Sequence, residues 1–143
     1  MNHEDYAGLR GFFERFAGSI LELPDAVAKL EAIERDAPKR AATALGLAVQ
    51  DCLELSAAFR PGQIRAADEA LTAHGLPTLS QVRARHWRRA RIALSRGVVR
   101  GAAERAAVQA LADSEVQPGL RVRCRAMLEA ADGSGQKRKT VLR

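Results

Sequence analysis

Six arginines and no acidic residue lie between Thr78 and Gly97, and this density of positive charge suits binding to a polyanion. Gln81 and Arg85 stand near the start of a predicted helix, the end from which recognition helices usually reach base edges. Arginine can form two parallel hydrogen bonds to guanine, and glutamine can do so to adenine. The other predicted contacts, with phosphates or with closely approaching backbone, are Arg88, Arg89, Arg96 and the small Ser95.

No other pattern in the sequence indicates chemistry at a site. The three histidines lack i, i+4 spacing with another histidine or a cysteine, and Cys52 and Cys124 lack the paired spacing of zinc sites. The chain has no glycine-rich phosphate loop before a helix. We therefore expect no catalytic residues, no metal site and no cofactor, and we predict that both cysteines are buried free thiols.

The arginines are predicted to lie on one continuous amphipathic helix from Leu79 to Gly97. On its helical wheel Arg83 and His86 turn toward the apolar side, and Trp87 lies at the border, where a core-edge position is favoured over stacking on a base.

A shorter helix over residues 63–75 precedes the arginine helix and ends at Gly75, a predicted left-handed cap. A short helix, a glycine-containing turn and a basic helix together form a helix-turn-helix arrangement. The residues predicted to pack the two helices together are Ala67, Leu71 and Val82.

Residues 66–85, AADEALTAHGLPTLSQVRAR, resemble the N-terminal segment of plasmid replication-region DNA-binding proteins of the Kfr type. The shared positions are Ala67, Ala70, Leu71, Gly75, Pro77, Thr78, Val82 and Arg83. The resemblance implies a helix-turn-helix protein that binds plasmid or chromosomal DNA.

A second pattern lies near the N-terminus, where aromatic and aliphatic residues recur at three- and four-residue intervals in a predicted helix over residues 3–23. The members of this aromatic stripe are Tyr6, Leu9, Phe12, Phe13 and Phe16. Two interpretations stay open and are favoured over a ligand pocket: the stripe belongs to the core, or it is the seam of a homodimer. A homodimer would allow two basic helices to address two half-sites on DNA.

Composition favours an all-α fold, because alanine, leucine, arginine and glutamate dominate and only six residues are Phe, Trp or Tyr. Prolines and glycines divide the chain into about six helices in a compact bundle. We predict one domain over residues 1–131, with a subdomain boundary near 60–63, and a basic, flexible tail over 132–143.

Charge is divided unevenly along the chain. Up to Arg60 there are 7 basic and 10 acidic residues, giving −3, and after it 16 basic and 7 acidic residues, giving +9. The excess of arginine over lysine is also what a GC-rich bacterial genome would produce.

No apolar run approaches the ~18 residues of a membrane span, and the N-terminus is unlike a signal peptide, so we expect a cytoplasmic protein with no membrane contact.

These observations predict a small helical regulatory protein that binds nucleic acid, with DNA favoured over RNA. The alternative is a helical protein-interaction module, such as an inhibitor, antitoxin or adaptor, whose arginine face docks on an acidic partner surface. A solvated arginine face without a binding role would produce the same sequence pattern.

Overall fold

The computed structural model describes residues 1–141, with side chains described through Gly133. In this part of the chain all regular structure is helical, which confirms the all-α prediction. The α-helices are α1 (His3–Arg15), α2 (Pro24–Asp36), α3 (Ala41–Leu55), α4 (Pro61–Ala73), α5 (Leu79–His86), α6 (Arg88–Arg96), α7 (Gly101–Ala112) and α8 (Pro118–Val141). These eight exceed the predicted number of about six.

The predicted flexible tail falls largely on residues whose side chains lie outside the described part, and it stays a prediction.

The aromatic stripe of α1 lies inside the protein. Phe12 and Phe16 are stacked with ring centroids 5.1 Å apart, and a π-helical segment, Phe16–Ile20, carries the second ring into the space between α1 and α2. Leu9 and Phe13 are also buried, and Tyr6 is half-buried. The core interpretation of the stripe is confirmed, and the buried rings leave no exposed aromatic seam on α1 for a second copy.

Helices α4 and α5 pack together as predicted from their apolar residues. Ala67, Leu71 and Val82 are all buried in one hydrophobic cluster. Gly75 adopts a φ of +66° just after α4, which confirms the predicted left-handed cap. The turn from Gly75 to Thr78 therefore sets α5 against α4.

The predicted continuous helix over residues 79–97 is wrong, because the chain leaves helical geometry at Trp87, with φ −70° and ψ 101°. Trp87, at this break between α5 and α6, is 0% exposed, and its indole N–H donates to Glu54 (3.2 Å). Gln50 of α3 supplies hydrogen-bond partners for the backbone on both sides of the break. Its carboxamide donates to the carbonyl of His86 (2.5 Å) and accepts from the N–H of Arg88 (2.9 Å). The predicted single arginine face is therefore two faces on two short helices. His86, predicted on the apolar side, is exposed.

Helix α7 organises the second half of the chain, since it packs against α5, α6 and α8. Gly97 and Gly101, with φ of +82° and +81°, allow the chain to reverse between α6 and α7. One buried cluster includes residues from Leu9 to Leu128, so the core is continuous across the break at 60–63.

The two cysteines are buried free thiols, as predicted. Burial raises the pKa of Cys52 to about 12 and also raises the pKa of Cys124. Within residues 1–141, no helix combines the length and the apolar character that crossing a bilayer requires.

Candidate nucleic-acid interface

Arg83 is the most deeply buried charge of the predicted arginine helix, with 0% of its surface exposed. Its guanidinium donates to the carbonyl of Ala110 (3.0 Å), to the Ser114 hydroxyl (3.0 Å), and to both the carbonyl and the hydroxyl of Ser56. Its Cζ atom also lies 5.4 Å from the centre of the Trp87 ring. Arg83 therefore joins α5, α7 and the turn after α3, and it is unavailable to a ligand.

Burial lowers the pKa of Arg83 to about 10, although the carboxylates of Asp68 and Asp113 oppose this change. The guanidinium thus stays protonated at neutral pH. Because its direct partners are carbonyl and hydroxyl oxygens, its positive charge is stabilised without being neutralised by a contacting carboxylate.

The start of α5 is fixed by two sets of hydrogen bonds. Thr78 and Gln81 form a capping box, in which the Gln81 N–H donates to the Thr78 hydroxyl and the Thr78 N–H donates to the Gln81 carboxamide oxygen, both at 3.0 Å. Asp68 of α4 accepts from the N–H (3.0 Å) and the hydroxyl (2.5 Å) of Ser80. Gln81 is exposed as predicted, but the structure already uses its oxygen within the cap.

Arg85 and Arg91 lie together where α5 gives way to α6. The Arg91 guanidinium donates to the backbone carbonyl of Arg85, so Arg91 reaches back across the break at Trp87. His86 lies between them: its partial desolvation, together with the charges of Arg91 and Arg85, lowers its pKa. All three side chains are exposed, and neither arginine forms an ion pair among the described residues. We call Arg85, His86 and Arg91 the basic corner.

Two of the predicted phosphate-binding arginines are already paired with carboxylates of the chain. Arg89 contacts Glu54 at 2.7 Å. Arg96 forms two hydrogen bonds with Glu104, at 2.8 and 3.0 Å, and this contact lowers the pKa of Glu104. The charge of each arginine is therefore compensated locally.

The remaining predicted contacts, Arg88 and Ser95, are exposed on α6. Arg88 lies beside a cleft between α6 and α3, whereas Ser95 lies just over one helical turn beyond Arg91. The structure therefore does not assemble the six predicted residues into one face. It places Arg85 in the basic corner, engages Arg89 and Arg96 in ion pairs, and distributes the others around the two helices.

Sequence reasoning left Arg91 out of the site, because a continuous helix put it at the border of the arginine face. The break at Trp87, which the continuous helix left out, lets the Arg91 side chain reach the carbonyl of Arg85. The core-side position favoured for the Trp87 ring agrees with its burial. The sequence also gave no indication that arginines of α8 would be held by carbonyls. Arg121 donates to the carbonyls of Ala112 (3.2 Å) and Ser114 (2.9 Å), and Arg123 donates to that of Leu94.

Comparisons of the chain with protein-family models, with curated proteins and with solved structures found no match. The local resemblance of residues 66–85 to Kfr-type proteins therefore stays a prediction. Among the side chains that the structure describes, no three His, Cys, Asp or Glu residues come together as metal ligands.

Proposed function

We propose that the protein binds duplex DNA through the basic corner. The observation that carries this proposal is the way the chain holds the arginines of its second half. Arg91, Arg121 and Arg123 donate to backbone carbonyls, which orient a guanidinium without cancelling its charge. Residues 61–133 contain 12 basic and 7 acidic residues, a formal charge of +5, and a positive field of this kind attracts polyanions.

The arrangement of α4 and α5 supports a helix-turn-helix mode of binding. Asp68 and the Thr78 cap hold the start of α5 rigidly, and Arg85 stands exposed one turn further along it. In this mode α5 enters the major groove, Arg85 contacts a base edge, and Arg91 contacts a phosphate. A two-bond contact from Gln81 to adenine would require its oxygen to leave the N–H of Thr78.

The test is binding of a fluorescein-labelled duplex of mixed sequence, followed by fluorescence anisotropy at about 50 and about 200 mM salt. We expect Arg85→Ala/Arg91→Ala to weaken binding by about tenfold or more at the lower salt. If both arginines contact phosphates, the slope of log affinity against log salt falls by about 1.8, and if only one does, by about 0.9.

A matched control is Lys29→Ala/Lys39→Ala, which also removes two positive charges, from exposed positions in the first half that form no ion pair among the described residues. It should retain the affinity of the unaltered protein within about threefold. Equal losses in the two double variants would show that binding follows net charge and not the basic corner. Failure of the unaltered protein to bind duplex at the lower salt would overturn the proposal.

A protein-interaction module is the second candidate, and the exposure of Leu47 (56%) and Ile92 (49%) favours it. In that case the basic corner would meet carboxylates of an acidic partner. A labelled Asp/Glu-rich peptide, measured in the same assay, separates the two candidates. Binding of this peptide with no binding of duplex would favour the protein partner, and the reverse result would favour DNA.

A further inference from the structure

A cleft of about 360 Å³ lies between α3 and α6, and its lining combines apolar and oppositely charged side chains. Leu47 and Ile92 supply exposed aliphatic surface, while Asp51 and Arg88 add one charge of each sign. We propose that this cleft is the contact surface of a homodimer, in which a second copy of the chain presents the same surface related by a two-fold axis.

The charges of the cleft indicate which partner fits. Glu54 is already bonded to Arg89, and Glu104 to Arg96. Asp51 and Arg88 also line the cleft, yet among the described residues neither takes part in an ion pair, and they do not pair with each other. In a two-fold contact, Asp51 of each copy can meet Arg88 of the other, which forms two identical ion pairs from one surface. A uniformly acidic or basic partner would satisfy only one of these two charges.

The apolar part of the surface extends beyond this cleft. Leu47 also lines a neighbouring cleft of about 350 Å³, together with Ile33, Ala37 and Ala44 and with the polar Lys39, Arg40 and Thr43 at its side. Aliphatic side chains thus continue from α6 across α3 to α2, beside two further positive charges. A stable dimer buries about 800 Å² on each copy, and a contact centred on Leu47 can extend over all three helices.

This surface differs from the aromatic stripe and from the basic corner, although two arginines predicted to bind phosphate, Arg88 and Arg89, line it. The aromatic stripe of α1 is core, so it does not provide the contact. The basic corner includes neither Leu47 nor Asp51, so the dimer is independent of the proposed DNA binding and is tested without nucleic acid.

The first experiment is sedimentation velocity of the full chain at protein concentrations from about 1 µM to about 1 mM. We expect the sedimentation coefficient to rise with concentration from the monomer value to the dimer value. Leu47→Glu should remain monomeric over this range, because it would bury a carboxylate at the apolar centre of the contact. Circular dichroism confirms that the variant is folded.

The matched control is Leu55→Glu. Leu55 lies on the same helix and is 56% exposed like Leu47, but it does not line the cleft. This variant should dimerise like the unaltered protein. If both variants lose the dimer, the cause is a destabilised α3. The proposal that the cleft is the contact surface would then be overturned.

Charge reversal separates a second copy from any other partner. Arg88→Asp and Asp51→Arg should each raise the dimer dissociation constant by about tenfold or more, since each replaces both reciprocal pairs by like charges. The double variant R88D/D51R restores opposite charges across the two-fold axis and should dimerise within about threefold of the unaltered protein. A monomer at every concentration, or a double variant no better than the singles, overturns the proposal.

Discussion

Arg10 and Arg83 show how differently the two halves of the molecule hold a positive charge. In the first half, Arg10 is 19% exposed and is surrounded by carboxylates: Glu34 at 3.1 Å, Glu14 at 3.3 Å and Glu31 at 3.8 Å. In the second half, Arg83 is fully buried, and only carbonyl and hydroxyl oxygens accept its hydrogen bonds.

The supply of acidic residues along the chain explains the difference. No acid occurs between Glu69 and Glu104, so most arginines in this stretch find few local carboxylates. A guanidinium has five N–H donors in a planar arrangement, and carbonyls at helix ends can satisfy several of them. Arg10 is therefore neutralised by carboxylates, whereas Arg83 and Arg91 are held by neutral acceptors that leave their charge. Replacing an arginine by alanine should consequently change the free energy of unfolding by different amounts at Arg10 and at Arg83.

The largest expected effect is on folding. Arg83→Ala removes the group that joins α5, α7 and the turn after α3. The buried carbonyls of Ser56 and Ala110 each lose one donor and keep the N–H of Phe59 and the hydroxyl of Ser114, respectively. The substitution also leaves a cavity beside the Trp87 ring. For both reasons we expect the free energy of unfolding to fall by about 3–5 kcal/mol. Urea unfolding followed by circular dichroism measures it.

Arg10→Ala is the comparison variant for this measurement. Its carboxylate partners keep contact with water, so we expect a loss of only about 1 kcal/mol. If Arg83→Ala fails to fold, Arg83→Lys remains informative: a lysine ammonium cannot reach all three sets of acceptors, and about 2 kcal/mol should be lost. Equal losses at positions 10 and 83 would contradict the distinction between the halves.

A smaller effect is expected at one of the few acids of the second half. Asp68 accepts from the N–H and hydroxyl of Ser80, whereas the arginines nearby use neutral acceptors. Asp68→Ala should cost about 1–2 kcal/mol and speed hydrogen exchange of the Ser80 amide. Glu69→Ala, at the next position and exposed, is the control and should change neither quantity. An unchanged exchange rate in Asp68→Ala would show that this carboxylate does not fix the start of α5.

The sequence predicts well the features that depend on local rules. The helical class, the apolar contacts of Leu71 and Val82, and the cap at Gly75 follow from helical spacing and glycine conformation. The break at Trp87 does not, because its backbone is bonded to Gln50 and its indole N–H to Glu54, both on α3 and more than thirty residues away. The separation of the arginines could not be predicted for the same reason, since their partners lie on other helices or on the backbone.

The smallest expected effect concerns pH and belongs to the first half. A hydrogen bond from Tyr6 (2.6 Å), with contacts from Arg10, lowers the pKa of Glu34 below its usual value. Its stabilisation is therefore complete above the usual pKa and is lost as pH falls through the lowered one. In thermal unfolding from about pH 7 to about pH 3, Glu34→Gln should lose less stability than the unaltered protein, by under about 1 kcal/mol. Glu31→Gln, whose carboxylate lies 3.8 Å from Arg10 and is 54% exposed, should follow the unaltered profile. Parallel profiles for all three proteins would show that Glu34 does not couple folding to pH.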